Sequence, residues 1–250
     1  MFSASECPPE SETWLGIIKN TVHVGEEHRL CVAVYITKCA HILAIISPIL
    51  QQHDLAAAEA QYECLVQQLG EAEEQVDQYV ETTGPIDYSQ DLTLYMHNMY
   101  LSASIKSHSY ILYLANLLMH SGRSQRPSQA ELRAQRAHCV RRVRAAAQQI
   151  VDNSLAALST LKAARDRPPW VLFDALKMVW PLTSVYVSGV ALAAQRTQAH
   201  AGLLFIGHEV GVRQALHAVA ENRTLSLEAR LPLRVEYGDG DDDTTRAYVE

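Results

Sequence analysis

Four side chains that could bind a ligand or move a proton lie in one apolar stretch of the sequence. They are Tyr95, His97, His108 and Tyr110. Imidazoles can bind metals and transfer protons, and phenols can donate and accept hydrogen bonds. His97 and His108 are eleven residues apart, so they share one face of a helix, but no third ligand follows at a usable spacing. We therefore predict no metal site, no cofactor and no catalytic residue, and we treat the four as a candidate ligand pocket within a helical bundle.

The stretch that carries these four residues is predicted to be a buried central helix. Asp91–His120 contains no glycine or proline, and its only formal charges are Asp91 and Lys106. Its apolar residues recur at helical spacing on two faces, a pattern typical of a helix in the middle of a bundle. A helix of this length would extend for roughly 45 Å.

Helices are also predicted on both sides of the central helix. A short one covers residues 11–24, a second runs from Glu26 to Ser47 and ends near Pro48, and a third begins at Leu55. The third carries apolar residues in a 3-4 alternation through Tyr79, which favours packing along a neighbouring helix. We favour antiparallel packing within the chain over a dimer contact, because Gly70 and two alanines weaken the apolar stripe.

Three more helices follow a polar loop at residues 121–129, which is the best candidate for an internal boundary. Ser128 and Glu131 resemble a capping box that begins a helix running to about Ala164. Leu155 and Leu158 are among its expected inward residues. Next comes a proline-initiated helix from about residue 168, kinked near Pro181 and continuing through Leu192, and then a last helix over residues 198–220. The fold class is thus all-α, with about six to seven helices around the long central one.

Composition sets the remaining expectations. The hydrophobic fraction is 48% and the five cysteines are scattered, without the close pairs of a zinc site or a disulfide framework. Residues 1–10 are expected to be disordered, residues 11–235 to form the helical domain, and residues 236–250 to be an acidic disordered tail. Two apolar stretches, residues 30–50 and 172–194, contain lysine and proline and are interpreted as buried helices rather than membrane spans.

Charge is distributed unevenly along the chain. Residues 1–120 hold four basic and fifteen acidic side chains, whereas residues 121–235 hold sixteen basic and seven acidic ones. A basic half could bind an anionic partner, but it could equally pair with the acidic half of the same molecule. We favour the intramolecular pairing, because the arginines at residues 133–144 lack the interleaved aromatic residues of a nucleic-acid surface.

Two sequence blocks resemble the regulatory middle homology domain of fungal binuclear-zinc-cluster transcription factors. The first is Leu92–Tyr110, rich in leucine, histidine and tyrosine, and the second is Cys139–Ile150. In the second block Cys139, Ala145, Ala146 and Ile150 match the family pattern residue by residue. The six-cysteine zinc cluster that binds DNA in that family is not in this sequence. In that family a His-Arg-Pro sequence follows the long helix, and only Arg126-Pro127 resembles it in this chain.

The resemblance implies a non-enzymatic regulatory domain in the nucleus, with the cytoplasm as a second location. Its partners would be proteins of the transcription machinery or a full-length factor, together with a small-molecule effector. Direct sequence-specific DNA binding and membrane binding are not expected. The alternative is a helical enzyme or small-molecule-binding protein of secondary metabolism, although no catalytic or phosphate-binding motif points to a reaction.

Overall fold

The computed structural model describes residues 27–83, 91–121, 127–163 and 169–220, together with Thr13. These residues form seven α-helices and one π-helical turn, which confirms the all-α fold class. The α-helices are α1 (Glu27–Gln52), α2 (Leu55–Thr83), α3 (Asp91–Ser121), α4 (Gln129–Ala163), α5 (Pro169–Tyr186), α6 (Ala193–Phe205) and α7 (Arg213–Ala220). The predicted helix at residues 11–24 (Thr13 apart), the segment 223–235 and both terminal segments lie outside the described residues.

The described residues form two compact units, which are divided between Arg142 and Val143. The first unit holds α1, α2, α3 and the beginning of α4, and the second holds the rest of α4 and the helices after it. The division falls inside α4 rather than in the polar loop 121–129 that the sequence favoured as an internal boundary. Ser128 and Glu131 do form the predicted capping box, because the Glu131 carboxylate accepts from the Ser128 backbone N–H at 2.8 Å and the Ser128 hydroxyl accepts from the Glu131 N–H at 3.3 Å.

Helix α1 is longer than predicted. It continues past Pro48, which lies inside the helix, and ends at Gln52. A proline within a helix removes one backbone hydrogen bond at a cost of about 3 kcal/mol. Here the following residues offset that cost, since Ile49 and Leu50 are both buried in the core. By length and composition, Arg29–Gln52 is the one described segment apolar enough to cross a bilayer, with a mean hydropathy of 1.9. Helix α1 packs on α2 and α3, and 39% of the apolar window is buried by these contacts and the rest of the fold.

Helix α2 is an antiparallel neighbour of α1. The two residues His53 and Asp54 connect the two helices. The Asp54 carboxylate accepts from the Ala57 N–H at 3.0 Å and so caps the new helix. The predicted apolar stripe is buried within the chain from Ala58 to Val76. Since α2 packs against both α1 and α3, the prediction of packing within the chain is confirmed.

Helix α3 is the buried helix that the sequence predicted. Every residue from Ser107 to Asn116 is buried, including the serines. Two buried serine hydroxyls of α3 are satisfied by the helix itself, because Ser102 donates to the Asn98 carbonyl and Ser109 donates to the Ile105 carbonyl, each at 2.7 Å. The hydroxyls of Ser102 and Ser109 therefore need no partner on a neighbouring helix.

One residue of α4 was predicted to lie on the buried face of the helix but lies on the exposed face. This residue is Leu155, whose side chain is 47% exposed. The buried stripe instead follows Ile150, Ser154 and Leu158, which are spaced four residues apart. Leu155 lies one residue off this stripe, about 100° around the helix axis.

The two last predicted helices are shorter in the structure. Helix α5 ends at Tyr186 rather than continuing through Leu192, and the Ser188 hydroxyl accepts from the backbone N–H groups of Val190 and Ala191 at 3.3 Å each. The predicted helix 198–220 is divided into α6, a π-helical turn at Ile206–Val210 and α7. Gly211 has φ +89°, a left-handed conformation that ends the turn and that glycine adopts without strain.

Candidate functional site

The main polar cluster of the first unit is built on an ion pair between α2 and α3. The Nε2 atom of His108 lies 2.9 Å from Oε1 of Glu73. The side chain of His108 is 1% exposed and that of Glu73 is 12% exposed. Glu73 follows the buried Ala72 on α2 and therefore lies at the edge of the apolar stripe, close enough to α3 to reach inward. A charged carboxylate in such a position requires partners.

Helix α4 supplies the second partner of Glu73. The Nη2 atom of Arg142 donates to the same Oε1 atom at 2.7 Å, and it also contacts the hydroxyl of Tyr100 on α3 at 3.4 Å. The Arg142 side chain is 36% exposed, so part of it reaches solvent. This contact pairs one basic residue of the sequence's second half with the acidic first half, as the intramolecular interpretation of the charge pattern predicts.

His138 completes the cluster from the preceding turn of α4. It is four residues before Arg142, so both side chains point to the same side of the helix. The rings of His108 and His138 meet edge to face, with centroids 5.5 Å apart. One potential ligand atom each from Glu73, His108 and His138 lies within 4.8 Å of the other two. Two imidazoles and a carboxylate thus converge from three helices.

The protonation of the cluster reflects burial and charge together. Burial by itself would raise the pKa of Glu73, but the hydrogen bonds and charges of His108 and Arg142 outweigh it and lower the pKa from 4.5 to about 2. Burial, reinforced by His108, lowers the pKa of His138. Burial and the nearby Glu73 charge raise the pKa of Tyr100 to about 12. Glu73 is therefore ionised at neutral pH while Tyr100 keeps its proton.

The four residues predicted as a ligand pocket are spread along α3. His97 and His108 share a face but lie about 16 Å apart along the axis, while Tyr95 and Tyr110 lie on a different face. His97 stacks on Tyr100 at 6.0 Å between ring centroids, and Tyr110 approaches Tyr113 at 6.2 Å. Among the four, His108 alone belongs to the convergent cluster.

The partners of His108 escaped the sequence analysis because they lie on other helices. No third ligand lies at a usable spacing from His97 and His108 along the chain, because Glu73 and His138 are 35 and 30 residues away from His108. One signal was present in the sequence. Glu73 and Arg142 are oppositely charged residues beside buried stripes of their helices, and such residues at the edge of a core commonly pair.

A small cavity in the first unit lies apart from this cluster. It is lined by residues of α1 and α3, including Ile36, Cys39, Leu43 and Lys106, and it has a volume of about 10 Å³. A volume of roughly 10–15 Å³ holds one water molecule. The cavity is therefore too small for a metabolite.

The second unit presents an apolar stripe to solvent on α5, formed by Leu172, Phe173 and Leu176. These side chains are 51%, 66% and 42% exposed. They lie within about 100° of arc, while Ala175, Met178 and Leu182 turn inward on the opposite side. An ion pair between Lys177 and Asp174, at 3.0 Å, lies beside the stripe.

Comparisons with protein-family models, with curated proteins and with solved structures find no match to this chain.

Proposed function

We propose that this chain is a non-enzymatic, all-helical regulatory domain that acts in the nucleus by binding a protein partner. In this proposal it is similar to the middle homology domain of fungal zinc-cluster factors and lacks sequence-specific DNA binding of its own. Two features support it. The fold is an α-helical bundle, and the blocks Leu92–Tyr110 and Cys139–Ile150 both lie on long helices, α3 and α4, as the resemblance implies.

The observation that carries the proposal is the exposed stripe of Leu172, Phe173 and Leu176. Large apolar side chains that share a helix face and stay in water commonly mark a protein-binding surface. The nearby Asp174–Lys177 ion pair gives the stripe a charged edge, and an apolar centre with a polar rim is typical of protein interfaces. The partner we expect is an amphipathic helix that places its own apolar face on this stripe.

The interior of the first unit also supports a binding role over a catalytic one. His108 and Arg142 are both hydrogen-bonded to Glu73, so the carboxylate is neutralised within the fold. The alternative function is a secondary-metabolism enzyme or a small-molecule-binding protein. Its ligand pocket would need four side chains around one cavity, those of Tyr95, His97, His108 and Tyr110. On α3 these four lie at different heights and on two faces.

A tethering assay tests the proposal directly. The full chain is fused to a heterologous DNA-binding module, and transcription of a reporter with the matching site is measured in fungal cells. We expect reporter transcription to differ from that given by the module alone, because the chain would bring its partner to the promoter. Phe173→Glu combined with Leu176→Glu should remove the difference, since a charge in the stripe opposes apolar contact.

Leu155→Glu is the matched control, because it places the same charge at an exposed leucine on a different helix. It should leave the reporter difference intact. Circular dichroism should show equal helix content for all variants, as expected for substitutions at exposed positions. A fusion that leaves transcription at the level of the module alone contradicts the regulatory function. A difference that survives the double substitution contradicts the role of the stripe.

A further inference from the structure

We infer that Glu73, His108 and His138 form a binding site for a divalent transition-metal ion of the zinc class. The inference is independent of the proposed function. The three side chains come from α2, α3 and α4 of the first unit, and their ligand atoms lie within 4.8 Å of one another. Nε2 of His108 and Oε1 of Glu73 are only 2.9 Å apart. Bonds of 2.0–2.2 Å, typical of Zn²⁺ with nitrogen and oxygen, would bridge these separations after small side-chain movements.

The donor set selects the class of metal. Two imidazole nitrogens and one carboxylate oxygen suit zinc and neighbouring transition metals, whereas Mg²⁺ and Ca²⁺ prefer oxygen ligands throughout. Three protein ligands leave a fourth tetrahedral position for water or another ligand. His138 is only partly buried, so the site opens to solvent on its side.

Arg142 and Tyr100 would act as an outer shell around the metal ligands. Arg142 now donates to Oε1 of Glu73 at 2.7 Å, and a carboxylate has a second oxygen that can bind the ion. Hydrogen bonds of this kind orient ligating carboxylates, and removing them typically weakens metal binding by about 10–100-fold. Arg142 is a positioning residue in this arrangement.

Metal binding would also change the contact between His108 and Glu73. A nitrogen that ligates a metal carries no proton, so the ion would take the place of the hydrogen bond between Nε2 and Oε1. The other ring nitrogen of His108, Nδ1, is buried and has no hydrogen-bond partner among the described residues. Nε2 of His108 is thus the ring nitrogen that would bind the ion, and Nδ1 would be the nitrogen that carries the hydrogen of the neutral ring.

The test is titration of the full chain, freed of metal with a chelator, with Zn²⁺ at pH 7 in a calorimeter. Co²⁺ provides a visible spectrum that reports the ligand geometry. We expect one ion per chain and a rise in the melting temperature on addition of Zn²⁺. His138→Ala should weaken binding by more than about 100-fold, because it removes a direct ligand, whereas Arg142→Ala should weaken it by about 10–100-fold.

His41→Ala is the matched control, since His41 is an exposed histidine on α1. It should leave the affinity unchanged. His138 is partly exposed, so its replacement should preserve the fold, and a circular dichroism spectrum checks this. The inference is overturned if Zn²⁺ binds with equal affinity after His138→Ala, or if His41→Ala weakens it as much. It is also overturned if Zn²⁺ neither binds at one per chain nor raises the melting temperature, in which case the cluster is an ion-pair network alone.

Discussion

Replacing Glu73 with glutamine removes the negative charge that His108 and Arg142 share in the first unit. The substitution keeps the size of the side chain and one oxygen acceptor. His108 is 1% exposed and so has little access to water, whereas Arg142 is 36% exposed and can be hydrated in part. We therefore expect most of the cost to arise at His108.

The magnitude follows from the pKa of Glu73, which is lowered from 4.5 to about 2 in the folded chain. Each pKa unit corresponds to about 1.4 kcal/mol, so ionised Glu73 contributes about 3 kcal/mol to stability. Breaking a fully buried ion pair costs about 3–5 kcal/mol. Because glutamine retains an acceptor, we expect Glu73→Gln to lower the free energy of unfolding by about 2–3 kcal/mol at pH 7.

The sign of the pH dependence is fixed by the direction of the pKa shift. The folded-state pKa lies below the unfolded value, so the contribution is complete above about pH 4.5 and is lost as the pH falls toward 2. The stability difference between wild type and Glu73→Gln should therefore shrink over this interval, since both chains then carry an uncharged side chain at this position.

Urea unfolding followed by circular dichroism, with a chelator present, measures this difference at pH 7 and at several values down to pH 2.5. Glu74→Gln is the matched control, because Glu74 is the next residue on α2 and is exposed. It should change the free energy of unfolding by no more than about 0.5 kcal/mol. The reasoning fails if Glu73→Gln is as stable as Glu74→Gln at pH 7, or if its deficit stays constant down to pH 2.5.

Three further substitutions test the helices by thermal or urea unfolding. Gly70→Ala should stabilise the chain by up to about 1 kcal/mol, because Gly70 lies inside α2 with open space around its Cα, and a loss of stability would contradict this. Gly207→Ala should destabilise it by about 1–3 kcal/mol, since a Cβ there would lie 2.5 Å from Cγ of Leu216, and an unchanged melting temperature would refute that overlap. Ser128→Ala should cost about 1 kcal/mol by removing the cap it forms with Glu131, whereas Ser128→Asp, which keeps a capping oxygen, should cost less.

The helices could be predicted because their signals are local. The apolar stripe of α2, the cap at Ser128 and the nearly uncharged sequence of α3 each lie within a few turns of the chain. The end of α1 was predicted wrongly because Pro48 is a local signal, while the burial of Ile49 and Leu50 that outweighs it depends on packing. Leu155 was placed inward because it is more apolar than Ser154, yet the helix geometry buries the serine.

The candidate site was less predictable, because its geometry depends on how three helices align. His108 was selected for its residue type, but neither Glu73 nor His138 differs locally from the other polar residues of α2 and α4. A helix shifted by a single residue would turn either side chain about 100° away from the cluster. Residue type and spacing can identify such candidates along one helix, whereas contacts between helices decide which of them meet.

The serine hydroxyls of α3 that donate to carbonyls of the same helix do not restrain the position of α3 along its axis. Ser102 and Ser109 place no directional demand on adjacent helices, and apolar contacts would tolerate a modest sliding of α3 along its axis. The bond from His108 to Glu73 tolerates less, because a displacement of α3 by one residue rise, about 1.5 Å, would lengthen this 2.9 Å contact and misalign its donor and acceptor. The hydrogen bond between His108 and Glu73 therefore restrains the position of α3 along its axis in a way that Ser102 and Ser109 do not.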